Sequence, residues 1–176
     1  MFKKQYGRMT VSAWLTSELE RSNPLIMLTV GALLTVAGIL VRVAVGSPYR
    51  TILELGIADL ILPVWLMSIL WTVWFFILGS AAGFVFVCRG GCREEKYKGC
   101  MYFTLLAVLE MCWYPAFFGA SLVFVSVLMS IFILCLSLAT TFCFYRVSKV
   151  AGMLLLLHDV WLIYMLILNF AVLFHG

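Results

Sequence analysis

Met101 to Tyr145 reads MYFTLLAVLEMCWYPAFFGASLVFVSVLMSIFILCLSLATTFCFY, about 45 residues with a single charge, Glu110. At 1.5 Å per residue a helix of that length runs to about 68 Å, roughly twice the 30 Å hydrocarbon core of a bilayer. A helix apolar all round its circumference cannot rest on a water-facing surface. The stretch therefore predicts two membrane spans, 101–119 and 122–145, turning at Pro115, Gly119 and Ser121.

Similar runs lie on both sides. Leu25 to Val45 follows Ser22-Asn23-Pro24, where Asn caps a helix and Pro takes its first turn. The run is too long for a signal-peptide core and has no convincing cleavage site, so it is expected to stay in the membrane. Val64–Val87 and Val150–Phe174 complete the set, giving an all-α bundle of five transmembrane helices over residues 25–176. A polar segment, 1–24, precedes it. Between the first two spans, the connector 46–63 carries Arg50, Glu54 and Asp59 around an apolar centre of Ile52, Leu53, Leu55 and Ile57, which suits a short helix lying at the interface. A charged loop, Arg89–Lys98, is expected between the second and third spans.

Charge placement orients the bundle. With five spans, the amino terminus and the second and fourth loops share one side. That side collects Lys3, Lys4, Arg8, Arg21, Arg89, Arg93, Lys96, Lys98, Arg146 and Lys149, against Arg42 and Arg50 on the other. The positive-inside rule then places the amino terminus in the cytoplasm and the carboxyl terminus outside, with the plasma membrane as the expected location. Four or six spans would scramble this segregation.

Composition narrows the function classes. The chain of 176 residues is 65% hydrophobic and 11% charged, against about 25% charged in soluble domains. A net charge of +4, scattered along the chain, forms no basic patch for nucleic acid. Cys112, Cys135 and Cys143 sit inside apolar runs as small hydrophobes. Cys88, Cys92 and Cys100 fit no zinc spacing, and no metal site is expected. Gly79-Ser-Ala-Ala-Gly83 fits either close packing inside the bundle or a homodimer. The Lys98…Tyr102…Leu105 pattern gives little support for a sterol.

Trp65 and Trp71-Thr72, then Trp74, Phe75 and Gly79, in the second span carry a resemblance to the TspO/MBR family of tryptophan-rich membrane proteins. The third span adds Trp113-Tyr-Pro115-Ala-Phe117-Phe118-Gly119. The last two spans add Ala139-Thr140-Thr141, Phe144-Tyr145-Arg146-Val147-Ser148, Ala151-Gly152, Trp161 and Leu168-Asn169-Phe170. The likeness covers roughly residues 60–173 in register. It departs from the family pattern at Ser68 and Ile69, Leu106, Glu110, Met129 and Leu157-His158, with Asp159 beside them. These are mainly polar family positions, so the fold carries over more safely than the ligand. The resemblance implies a cavity for flat tetrapyrroles and similar apolar molecules, walled by Trp65, Trp71, Phe75, Trp113, Phe117 and Trp161, with Asn169 adding a hydrogen bond. Aromatic walls suit such ligands through offset stacking and large apolar contact. Trp14, Trp74 and Phe118 are read instead as lipid-facing or interfacial.

Glu110, near the middle of the third span, is expected to face the interior, because an ionised carboxylate in lipid costs about 2.5–3.5 kcal/mol even on the mildest scale. His158 is its expected partner. The alternative is that Glu110 bonds a nearby Ser or backbone group while His158 reaches the interface. Together these residues predict a membrane receptor or carrier for a planar hydrophobic ligand, porphyrin-like molecules first, with the tetrapyrrole as ligand rather than cofactor. The connector 46–63 would act as a lid. Rival readings are a proton-linked transporter using Glu110, His158 and Asp159, and a light-dependent porphyrin-degrading enzyme. No nucleophile–base constellation supports catalysis, and no catalytic residue is assigned.

Overall fold

The computed structural model describes residues 23–59, 61–87 and 93–175. Trp14, Cys88, Cys92 and the polar segment before residue 23, all named above, lie outside them. Helix α1 (Pro24–Val45) starts where the sequence indicates: the Asn23 side chain accepts a hydrogen bond from the Leu25 N–H at 3.1 Å, and Pro24 opens the first turn. It stops at Gly46, whose φ of 88° is left-handed and costs a glycine little. The connector holds a short helix, α2 (Tyr49–Glu54). The remaining helices are α3 (Val64–Val87), α4 (Arg93–Tyr114), α5 (Val123–Val147) and α6 (Lys149–His175). The described residues contain no strand. Five helical stretches are long and apolar enough to cross a membrane, namely α1, α3, α4 with the turn that follows it, α5 and α6.

Two boundaries carry information. The sequence suggests a loop up to Lys98, yet α4 begins at Arg93. Glu94 and Glu95 sit in its first turn, where carboxylates complement the helix dipole, and Lys98 Nζ reaches Glu94 Oε1 at 2.7 Å across one turn. Arg146 Nη1 reaches Glu95 Oε1 at 2.8 Å, fastening the start of α4 to the end of α5. At its other end α4 widens into a π-helical segment, Pro115–Gly119. Pro115 has no N–H to continue the α ladder. The Ala120 N–H instead reaches back to the Pro115 carbonyl at 2.9 Å, and Ser121 takes a φ of 53° to turn the chain into α5.

Around the bundle α1 packs on α3, α3 on α6, α6 on α5 and α5 on α4, and α4 closes back on α1 and α3. The glycines of α3 serve the first of these contacts. A Cβ on Gly79 would lie 2.7 Å from the Val30 carbonyl oxygen, and one on Gly83 would lie 2.7 Å from Met27 Cα. On the α1 side, a Cβ on Gly31 would fall 2.5 Å from Ser80 Oγ. The small-residue stripe is thus consumed within the chain, and a homodimer would need another face. The outer surface is apolar: Leu25, Leu33, Val43, Phe124, Val160 and Ile167 are all more than 60% exposed, as expected where lipid is the solvent.

Candidate functional site

Four helices surround a cavity at the centre of the bundle. It is lined by Trp71, Trp74 and Phe75 from α3, Glu110 and Trp113 from α4, Ser130 and Ile133 from α5, and His158, Trp161, Leu162 and Met165 from α6. The spacing explains the lining. Residues at i, i+3, i+4 and i+7 share one helix face, and His158, Trp161, Leu162 and Met165 follow that series. The space among these side chains is tight, its 420 Å³ or so of non-atom volume including room open to the surroundings, so a ligand must spread the walls to enter.

The aromatic rings are ordered. Trp71 and Trp113 stack at 5.6 Å with 20° between their planes, and Phe117 continues the stack behind Trp113 at 5.1 Å and 11°. Trp74 stacks on Trp161 at 6.0 Å and 22°. The Trp113 N–H donates to the Ser126 carbonyl at 3.2 Å, which fixes that ring. The N–H groups of Trp71 and Trp74, by contrast, are buried without a hydrogen-bond partner.

Glu110 is 5% exposed and His158 1%. Oε1 of the acid lies 3.4 Å from Nε2 of the imidazole. That is ion-pair distance, but Oε1 makes no hydrogen bond, and Nδ1 on the far side of the ring has no partner either. Asp159, next in sequence, turns the other way. The Ser137 hydroxyl donates to its Oδ1 and the Thr141 hydroxyl to its Oδ2, the latter at 2.8 Å. Asp159 does not line the cavity, so the three-residue relay loses one member.

Of the predicted lining residues, Trp71, Phe75, Glu110, Trp113, His158 and Trp161 meet at the cavity. Three do not. Trp65 is 66% exposed on the outside of α3, six residues and nearly two turns before Trp71 and so on a different face. Phe117 is fully buried behind Trp113 rather than on the cavity wall. Asn169 is buried one turn past Met165 and spends its amide on the Met165 carbonyl at 2.7 Å. Two residues read as lipid-facing or interfacial are corrected. Trp74 lines the cavity, and Phe118 is in the core against Tyr114 and Phe117. The signal for Trp74 was present, because it falls three residues after Trp71 and one before Phe75. Ser130, Ile133, Leu162 and Met165 had no such mark, being ordinary residues in uniformly apolar helices.

A second, narrow hollow lies under the connector, lined by Arg42, Pro48, Ile52, Met67, Tyr114 and Phe118 among others, and Trp71 borders both hollows. The connector is packed down. Ile52 and Ile57 are buried, and the Thr51 hydroxyl donates to the Phe118 carbonyl at 2.7 Å. Leu53, expected on the apolar side, is exposed. Arg42 reaches across from α1 to donate to the Ser68 carbonyl at 2.9 Å.

Residues 24–175 match the profile of the TspO/MBR family. The chain belongs to that family. It is also 35% identical over 116 residues to the tryptophan-rich protein TspO of Chlorobaculum tepidum, an alignment covering 63% of this chain and 70% of that one. No solved structure matches it. Family membership and five apolar helices make this an integral membrane protein, and the family supports a sensory or binding role.

Proposed function

We propose that the protein is a membrane receptor or carrier that captures a flat hydrophobic ligand, porphyrin-like molecules first, in the aromatic cavity between α3, α4, α5 and α6. The observation that carries this reading is the convergence of two stacked indole pairs, Trp71–Trp113 and Trp74–Trp161, on one buried space. Such walls offer planar ligands stacking and apolar contact together. The space is small for a tetrapyrrole, so entry requires widening. The connector 46–63 is the element to move, since Trp71 alone is shared by the central cavity and the hollow beneath it.

Protoporphyrin titrated into the purified protein in detergent is expected to quench tryptophan fluorescence saturably. Trp74→Ala should weaken binding about tenfold, since an aromatic pair contributes about 0.5–1.5 kcal/mol beyond the apolar area it buries. Trp65→Ala should leave it unchanged. Equal effects from both variants, or linear quenching without saturation, would remove the cavity from the account. Hydrogen exchange in 46–63 should slow in the same sample.

The orientation proposed is amino terminus in the cytoplasm, in the plasma membrane, because Arg93, Lys96, Lys98, Arg146 and Lys149 lie at the bundle end opposite Arg42 and Arg50. In intact cells, a cysteine replacing Arg50 should react with an impermeant maleimide and one replacing Lys98 should not. The reverse labelling pattern would invert the bundle.

A further inference from the structure

A flat apolar ligand makes use of the rings but leaves Glu110 without a purpose. Its carboxyl group is buried in the membrane interior at the cavity wall, with Oε1 lacking any hydrogen-bond partner and only the His158 imidazole within ion-pair distance. A buried carboxylate that is poorly compensated is costly and strongly attracts a positive charge. The surrounding surface points the same way. Trp71, Trp74, Phe75, Trp113 and Trp161 place five aromatic rings around the same space. Ring faces carry negative potential and hold cations, tryptophan most strongly, and cages of this kind bind quaternary ammonium groups. Apart from His158, no side chain lining the cavity can carry a positive charge; Arg42 borders a smaller hollow on the α1 side that Glu110, Trp71 and Phe75 also line, and its guanidinium is engaged with Ser68 and Thr72.

We propose that the cavity takes a lipophilic aromatic cation, a flat ring system bearing a quaternary or iminium nitrogen, with the positive charge seated against Glu110. This rests on the cavity being the ligand site, as proposed above, and names the chemistry of what it prefers. In the empty protein the imidazole of His158 stands closest to the carboxyl group. With ligand present, the ligand's own charge supplies the closer partner. Three fused rings, being the smaller ring system, require less widening of the cavity than a tetrapyrrole does. A dianionic porphyrin must keep its carboxylates at the mouth, away from Glu110, so it binds without using this group.

The test pairs two compounds of the same shape, N-methylacridinium and its uncharged carbon isostere methylanthracene, titrated against the full chain in detergent by tryptophan quenching. The cation is expected to bind at least tenfold more tightly than the isostere. Glu110→Gln, which keeps the volume and removes the charge, should lower the ratio of cation affinity to isostere affinity at least tenfold. Saturable quenching by the isostere shows that the variant is folded. His158→Gln should keep or raise the ratio of cation affinity to isostere affinity, because the imidazole competes with the cation for the carboxylate. If cation and isostere bind alike, or if Glu110→Gln weakens both equally, the charge preference is wrong while the cavity stands. If neither compound nor protoporphyrin quenches saturably, the cavity reading falls and this inference with it.

Discussion

Among the described residues two carboxylates are buried within the spans, Glu110 and Asp159, and they are treated in opposite ways. Asp159 has a hydroxyl for each oxygen, from Ser137 and Thr141 on the facing helix α5. Glu110 has one imidazole at 3.4 Å and an oxygen with no hydrogen bond, and it borders open space. Satisfied polar groups inside a protein lock elements together, whereas partly satisfied ones cost free energy and persist where a function uses them. The Asp159 cluster therefore reads as a clamp between α5 and α6, and the Glu110–His158 pair as part of the binding surface proposed above. Polarity alone would not have separated them; the number of partners does.

The largest expected effect breaks the clamp. Asp159→Leu removes two buried hydrogen bonds to a carboxyl group, each worth about 1.5–3 kcal/mol when the acceptor is charged. Part of that is recovered, because Ser137 and Thr141 can turn to carbonyls of their own helix, as Thr140 and Ser130 already do. A net loss of about 2–3 kcal/mol is expected in a reversible SDS-unfolding titration, with ligand affinity unchanged in the fraction still folded. Should Asp159→Leu abolish binding while leaving stability intact, the assignment of clamp and site would have to be exchanged.

How much of this was legible before the fold was known differs by level. Span number followed from run length, because a bilayer sets the length of an apolar helix more tightly than a soluble core does. Glu110 and His158 could be matched because each was otherwise a polar group alone in hydrocarbon. Asp159 could not be assigned, since its partners are two hydroxyls among many Ser and Thr residues, any of which could have bonded back to its own helix. The start of α4 at Arg93 was missed for a related reason. A dense run of charge reads as a loop, yet Glu94–Lys98 and Glu95–Arg146 pairing lets it continue the helix into water. Faces were the hardest level. In α3 nearly every residue is apolar, so no polar side marks which tryptophans turn inward. The sequence alone therefore points Trp65 inward and Trp74 outward, whereas Trp65 is exposed and Trp74 lines the cavity, a difference that their spacing from Trp71 carries.

The sharpest form of the comparison has the smaller effect and the opposite sign. Replacing Glu110 and His158 together by Leu removes both partners of an imperfect pair, so no lone charge is left behind. Exchanging a buried pair for apolar side chains of similar size is often neutral or stabilising, by roughly 1–4 kcal/mol. Here the gain should fall at the low end, because the pair lines a cavity and the new side chains have few atoms to touch across it. The double variant is thus expected to unfold at the same SDS fraction as the parent or slightly later, while losing its preference for a cationic ligand. A clamp and a site would then differ in sign as well as in size: Asp159 holds the bundle together and can be removed only at a loss, whereas Glu110 and His158 are carried at a cost that binding alone explains. A drop of more than about 2 kcal/mol in the double variant, well outside what an imperfect pair supports, would mean that both carboxylates are structural and that the cavity is only a packing gap beside Glu110.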